Sequence, residues 1–272
     1  MKLGLRAHDF GRQRADTLAS AIAGAGFACC QMAPAKAIEG INHFNDITDH
    51  HLEDIQEAFA HHNVDITVLG CYIEPSYTDS VQRLEQVQIF KNNIVNAKKI
   101  GCNLVGTETT RLDLNTPEGE REKIYQLLKD SVLRMVEQGE KEGVYVGIEP
   151  VAEHTLNTPA LARRLLDEVN SKYLKIIFDP VNLILPSTIS NQQQIFAEMT
   201  NLLGAHVAAM HIKDVVMEDG KKVWRNIGTG AVNYSHIATW LKANHPNMHL
   251  LREEVKPDSY ETCIQGMTKI FL

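Results

Sequence analysis

Short runs rich in apolar and β-branched residues recur eight times along the chain, at 3–6, 28–32, 66–69, 104–107, 145–148, 175–178, 207–210 and 249–251. Runs of this length are strand-sized, and the amphipathic stretches between them, such as 78–100, 116–142, 158–170 and 190–204, are helix-sized. Within 117–142, Ile124, Leu127, Leu128, Val132, Met135 and Val136 fall at helical spacing among charged residues, and Gly143 closes the run as a C-terminal cap. Strand and helix alternating without interruption predict a parallel sheet covered by helices. Eight such units in 272 residues predict a closed (β/α)₈ TIM barrel, an α/β fold, as a single domain over 1–272. A doubly wound open sheet is the runner-up. It calls for a G-x-G-x-x-G turn after the first strand, where this chain has "RAHDFGRQ".

In a barrel the C-terminal ends of the strands carry the chemistry, so polar residues there are informative. The first run leads to His8, the fourth to Glu108, the fifth to Glu149, the sixth to Asp179, the seventh to His211 and the eighth to Glu253. Four consecutive strands thus bring Glu, Asp, His and Glu to one rim. Three carboxylates in a small pocket repel one another unless they are protonated or share a cation, and oxygen with imidazole donors suits Mn²⁺, Co²⁺, Mg²⁺ or Zn²⁺. Each residue alone has a plainer reading: a carboxylate after an apolar run is often a helix cap or a loop charge, and a lone histidine is often structural. Strand alternation leaves Glu253 and Glu254 equal as inward candidates. His8, Glu108 and His154 read as substrate contacts rather than ligands, His50-His51 and His61-His62 as solvated surface beside a helix, and Gly228-Thr229-Gly230 as a turn more than a phosphate cradle.

Charge excludes one class of partner. The net charge of −7, with no Lys/Arg-rich run, offers no footprint for a phosphate backbone, so no nucleic acid is expected. There is no apolar leader and no run of eighteen apolar residues, so a cytoplasmic protein with no membrane partner is expected. The five cysteines follow no metal-binding or disulfide spacing and read as reduced, buried small hydrophobes.

The motifs "GIEP" at 147–150, "FDPVN" at 178–182, "HIKD" at 211–214, "GTG" at 228–230 and "EEVKPD" at 253–258 together resemble the xylose isomerase-like sugar isomerase/epimerase superfamily. That group includes ketose 3-epimerases and inositol-catabolism enzymes, with endonuclease IV type nucleases as distant relatives. The resemblance implies one divalent metal held by Glu149, Asp179, His211 and Glu253, and it selects Glu253 over Glu254. It implies proton abstraction next to the carbonyl of a small-molecule sugar or sugar phosphate, through a metal-stabilised enediolate, with Glu149 and Glu253 as the acid/base pair. His8, Glu108, His154, Asn182 and Lys213 read as contacts for the substrate's hydroxyls or phosphate, and the resemblance implies a homodimer or homotetramer as the assembly.

Two positions depart from the pattern. Asn182 stands where 3-epimerases and the multi-zinc nucleases carry histidine, and Met217 stands where the epimerases carry an arginine, for which Arg225 is the substitute within reach in sequence. The same fold also accommodates an inositol-type dehydratase, an endonuclease IV-like hydrolase and an inert sugar-binding barrel, and these remain the alternatives.

Overall fold

The computed structural model describes residues 1–256 and 259–272; Pro257 and Asp258, the last two letters of the "EEVKPD" motif, lie outside the described residues. In chain order the strands are β1 (Lys2–Arg6), β2 (Cys29–Met32), β3 (Asp65–Gly70), β4 (Leu104–Glu108), β5 (Tyr145–Glu149), β6 (Leu174–Phe178), β7 (Val207–Ile212), β8 (Asp214–Glu218), β9 (Lys221–Arg225) and β10 (His249–Arg252). The helices are α1 (Ala15–Gly24), α2 (Pro34–Ala37), α3 (Asp49–His61), α4 (Ser80–Lys99), α5 (Glu118–Glu142), α6 (Pro159–Val169), α7 (Gln192–Leu203), α8 (Ser235–Asn244) and α9 (Tyr260–Phe271). All strands except β8 and β9 close into a parallel barrel in the order β1-β10-β7-β6-β5-β4-β3-β2. The expected (β/α)₈ architecture is therefore the observed one.

Local chemistry explains the boundaries. The carboxylate of Asp79 and the hydroxyl of Thr158 accept the third-residue amides of α4 and α6, and Pro159 sits in the first turn of α6, where a missing N–H costs nothing. Gly143 ends α5 at φ 75°, a left-handed cap that glycine adopts without strain.

Alternation along each strand divides the apolar residues into two cores. Leu5, Cys30, Leu69, Val105, Ile148, Phe178, Met210 and Leu250 point outward and join the main core beneath the helices. Cys29, Val68, Leu104, Ile177, Ala209 and Leu251 point inward and form a separate cluster on the barrel axis. The inner cluster is tight: a Cβ at Gly106 would lie 2.5 Å from Ile177 Cδ1, and one at Gly147 would lie 3.0 Å from it. Ile177 fills the axis because β4 and β5 present glycine there. All five cysteines are buried and unpaired, as expected.

The sequence reading did not find the β8–β9 hairpin, which is inserted between β7 and α8 and pairs Asp214 with Arg225 and Val216 with Val223. Its signal was present: Asp219-Gly220 takes positive φ values of 49° and 71°, the primed turn that this dipeptide favours between alternating strands. Among the described residues no helix is long and apolar enough to cross a membrane.

Candidate metal centre

Two residues beyond each inward apolar position, the same alternation points the next side chain into the barrel mouth. Ile177 is followed by Asp179, Gly147 by Glu149, Ala209 by His211 and Leu251 by Glu253; on the other strands Gly4 is followed by Arg6, Cys29 by Gln31 and Gly106 by Glu108. Asp179 is 0 % exposed, and Glu149, His211 and Glu253 are also buried. A register irregularity at Ile176/Ile177 in the β6–β7 pair precedes the two central side chains, Asp179 and His211.

His211 is the hub. Its Nδ1 lies 3.0 Å from Glu149 Oε2, 3.3 Å from Glu253 Oε1 and 4.0 Å from Asp179 Oδ2. One donor atom each from Glu149, Asp179 and His211 lie within 4.8 Å of one another. Asp179 divides its oxygens: Oδ1 accepts the amides of Val181 (2.8 Å) and Asn182 (3.0 Å), which locks the turn after Pro180, while Oδ2 faces the group. Asn182 donates from Nδ2 to Glu149 Oε1 at 2.6 Å, so the asparagine orients a carboxylate. Lys213 places its ammonium 2.7 Å from Glu253 Oε2 and 2.9 Å from Asp179 Oδ2.

Burial and charge oppose each other throughout the site. Burial alone would lower His211, but Glu253 and Glu149 outweigh it and lift the imidazole to about 9. Burial would likewise depress Lys213, yet Asp179 and Glu253 hold it above the ordinary lysine range. Glu253 is kept well below the usual carboxylate range, because Lys213, His211 and Arg6 together overcome its burial. Asp179 is raised by its burial and by Glu149 and Glu253, against Lys213.

These residues fit a divalent cation. Asp179 Oδ2 and His211 Nδ1 are buried and make no hydrogen bond of acceptable geometry despite their close neighbours. Two such atoms aimed at a third donor, in a mixed oxygen and nitrogen set, match what Mn²⁺, Co²⁺, Mg²⁺ or Zn²⁺ accepts. Among the described residues this is the one group of three or more His, Cys, Asp or Glu with such spacing. Glu253 stands beside the group through His211, while Glu254 turns outward at φ 59° and pairs with Arg6 Nη2 at 3.0 Å.

Glu108 pairs in register with Glu149 across β4–β5, and burial with the Glu149 and Glu253 charges pushes it to about 7. His154 lies 3.8 Å from Glu108, with burial lowering it. His8 is pushed down to about 4 by burial and by Arg6 and Lys36. Arg225 is not brought into this group: its guanidinium pairs with Glu218 across the hairpin. The face of β9 carrying Lys222 and Trp224 reaches the mouth instead. Lys222 Nζ donates to Val181 O at 2.8 Å, and the Trp224 ring lies 5.4 Å from Lys213 Nζ.

The 228–230 loop offers no free amides to a ligand. The buried Asp214 carboxylate accepts the N–H groups of Gly228 and Gly230 at 2.9 Å, Val215 at 2.9 Å and Val232 at 3.2 Å. A Cβ at Gly230 would collide with this carboxylate, which accounts for the glycine. Besides Lys222, Trp224 and Arg6, the sequence reading also missed Gln31, whose signal was its place two residues beyond Cys29 on the inner face.

The family profile described as xylose isomerase-like TIM barrel matches residues 19–261. No protein of curated function matches the sequence. Among solved structures, a D-tagatose 3-epimerase-like protein superposes with a TM-score of 0.80 at 16% identity, covering 99% of this chain and 97% of its own. The 3-keto-D-glucoside 4-epimerase YcjR from E. coli gives 0.77 at 16% identity, covering 99% of both chains. The IOLI protein with a bound zinc atom gives 0.72 at 19% identity, covering 99% of this chain and 96% of its own.

Proposed function

Because this chain belongs to the xylose isomerase-like TIM barrel family, we propose that it is a divalent-metal-dependent isomerase or epimerase of a sugar or sugar phosphate. The observation that carries this reading is the pair of buried atoms, Asp179 Oδ2 and His211 Nδ1, that make no hydrogen bond of acceptable geometry and are grouped with a Glu149 oxygen. Glu149, Asp179 and His211 would hold the ion, with Glu253 beside them. When bound, it supplies Lewis acidity toward a carbonyl and its neighbouring hydroxyl.

The chain's own residues then have separate tasks. A carbon next to a carbonyl is too weak an acid for a free carboxylate in water, so the base must be held and desolvated at the carbon. Glu149 is held by Asn182 and Glu253 by Lys213, leaving an oxygen of each turned toward His211. One carboxylate takes the proton from carbon while the electron pair moves onto the carbonyl oxygen. Return by the other carboxylate inverts the centre, and return to the adjacent carbon by the same one, with the neighbouring hydroxyl proton passing to the former carbonyl oxygen, isomerises the sugar. Glu108, His154, His8 and Lys213 line the route of the substrate's hydroxyls, and Trp224 offers an apolar face at the mouth. Asn182 bound to Glu149, with one donor group among the described residues, favours a single ion over a nuclease-type cluster.

Metal-loaded protein incubated in D₂O with ketoses, inosose and their phosphates should place deuterium on carbon in at least one member, read by NMR. A protein that binds the ion and labels none of them overturns the isomerase/epimerase reading.

A further inference from the structure

The inward rim position of β2 is neutral, and it contacts the hub directly. Gln31 is 3 % exposed, its Oε1 lies 2.7 Å from His211 Nε2, and its Nε2 donates to the Tyr72 hydroxyl at 2.9 Å. The β2–β3 register shifts between Cys30 and Gln31, the kind of irregularity that re-aims a side chain at a barrel rim. Beyond it, the ammonium of Lys36 sits 3.7 Å from the centre of the Tyr72 ring.

A primary amide has one accepting end and one donating end, so its orientation decides what its partner must present. With Oε1 toward the imidazole, His211 carries its N–H at Nε2, and in the neutral ring Nδ1 is left as a lone pair facing Glu149, Asp179 and Glu253. With the amide reversed, an N–H would face Nε2 and drive the ring proton to Nδ1, where it would occupy the direction an ion needs. Tyr72 holds the amide in place against His211, its hydroxyl accepting from the amide nitrogen in this orientation. We propose that Gln31, held by Tyr72, is the positioning residue that makes His211 a metal ligand through Nδ1. The proposal rests on the metal centre assigned above. It places the control of that ligand on β2, across the barrel mouth from the ligands themselves.

The test is ion binding by the full chain after chelation, with Mn²⁺, Zn²⁺ and Co²⁺ titrated calorimetrically and the Co²⁺ ligand-field spectrum recorded. Gln31→Met, which keeps the volume and removes the acceptor, should weaken binding about 10–100-fold, the usual effect of removing a partner behind a ligand histidine. Gln31→Glu keeps the acceptor and should restore affinity to within about threefold of the wild type, with the wild-type cobalt spectrum. Tyr72→Phe should lower affinity in the same direction by less, and it carries the test alone if Met at position 31 prevents folding in the ion-free melt. Wild-type affinity and spectrum in Gln31→Met, or in Tyr72→Phe where only that variant folds, overturn the proposal and leave the metal centre standing. A wild-type chain that takes up none of the three ions overturns both.

Discussion

The two halves of the barrel mouth are built by one rule and carry different chemistry. In β5, β6, β7 and β10 the inward rim side chains are Glu149, Asp179, His211 and Glu253; in β1 to β4 they are Arg6, Gln31, the glycine at 70 and Glu108. Both halves stand two residues above the same apolar floor, so backbone geometry alone does not distinguish them. The difference lies in what neutralises each charge. Lys213 and His211 compensate the carboxylates of the first half from within it, and Arg6 of the second half is shared, pairing with Asp9 at 2.8 Å and Glu254 at 3.0 Å and reaching Glu253 across the mouth at 3.6 Å. Burial with the Glu149 and Glu253 charges pushes Glu108 up to about 7, against Lys213. A barrel therefore fixes where these groups stand, and neighbouring charges fix how each is compensated; in the proposed function the first half would hold the ion and Glu108 would contact substrate.

The largest effect expected from breaking this division is on turnover. Glu149→Gln and Glu253→Gln should each lower the deuterium exchange rate by about 10²–10⁴-fold while the chain still folds in the ion-free melt. Wild-type exchange rates in both variants would assign the proton transfers elsewhere. Next comes the ion itself. At a hundredfold excess over its dissociation constant it should add about 2.7 kcal/mol of stability, read as a rise in melting temperature that chelator reverses. Asp179→Asn should abolish that rise, because its amide oxygen can still accept from Val181 and Asn182 while the group facing the site no longer carries charge.

A pH series separates the halves without touching the ion. Glu108 is raised to about 7 in the folded chain, so stability it contributes at low pH is lost as pH climbs from the ordinary glutamate range through about 7. His211 is raised to about 9, so its contribution is complete below about 6.5, the unfolded histidine value, and is lost as pH rises through about 9. In chelator the melting temperature should fall over both windows. Glu108→Gln should remove the lower one alone, and its persistence in that variant would reject the assignment. The smallest effect is the last: Glu108→Gln should raise KM several-fold with ion affinity unchanged, about 1 kcal/mol of lost substrate contact. A loss of ion binding would move Glu108 into the first half.

Fold and site differed in how legible they were. The eight strands and α4, α5, α6 and α7 were readable because their periodicities are local, and β6 is a case where both scales agree: "KIIF" alternates between core and axis, and Asp179 follows in phase. Residue spacing could not choose between Glu253 and Glu254, which depends on the turn after β10. Gln31 lies on β2 and Tyr72 in the loop after β3, and only their hydrogen bond beside His211 gives them meaning. The hairpin is a different failure: its Asp-Gly turn was visible, but an insertion between β7 and α8 breaks the βα rhythm that made the rest readable.

Asp214 gives the 228–232 loop a built-in anion. A phosphorylated substrate arriving there would have to evict a carboxylate that is 1 % exposed and leave it without its four amide donors. Stranding a buried carboxylate in this way costs several kcal/mol, on the order of what a phosphate would gain from the same amides. The exchange has no net driving force, so under the proposed function a terminal phosphate would gain nothing from this loop.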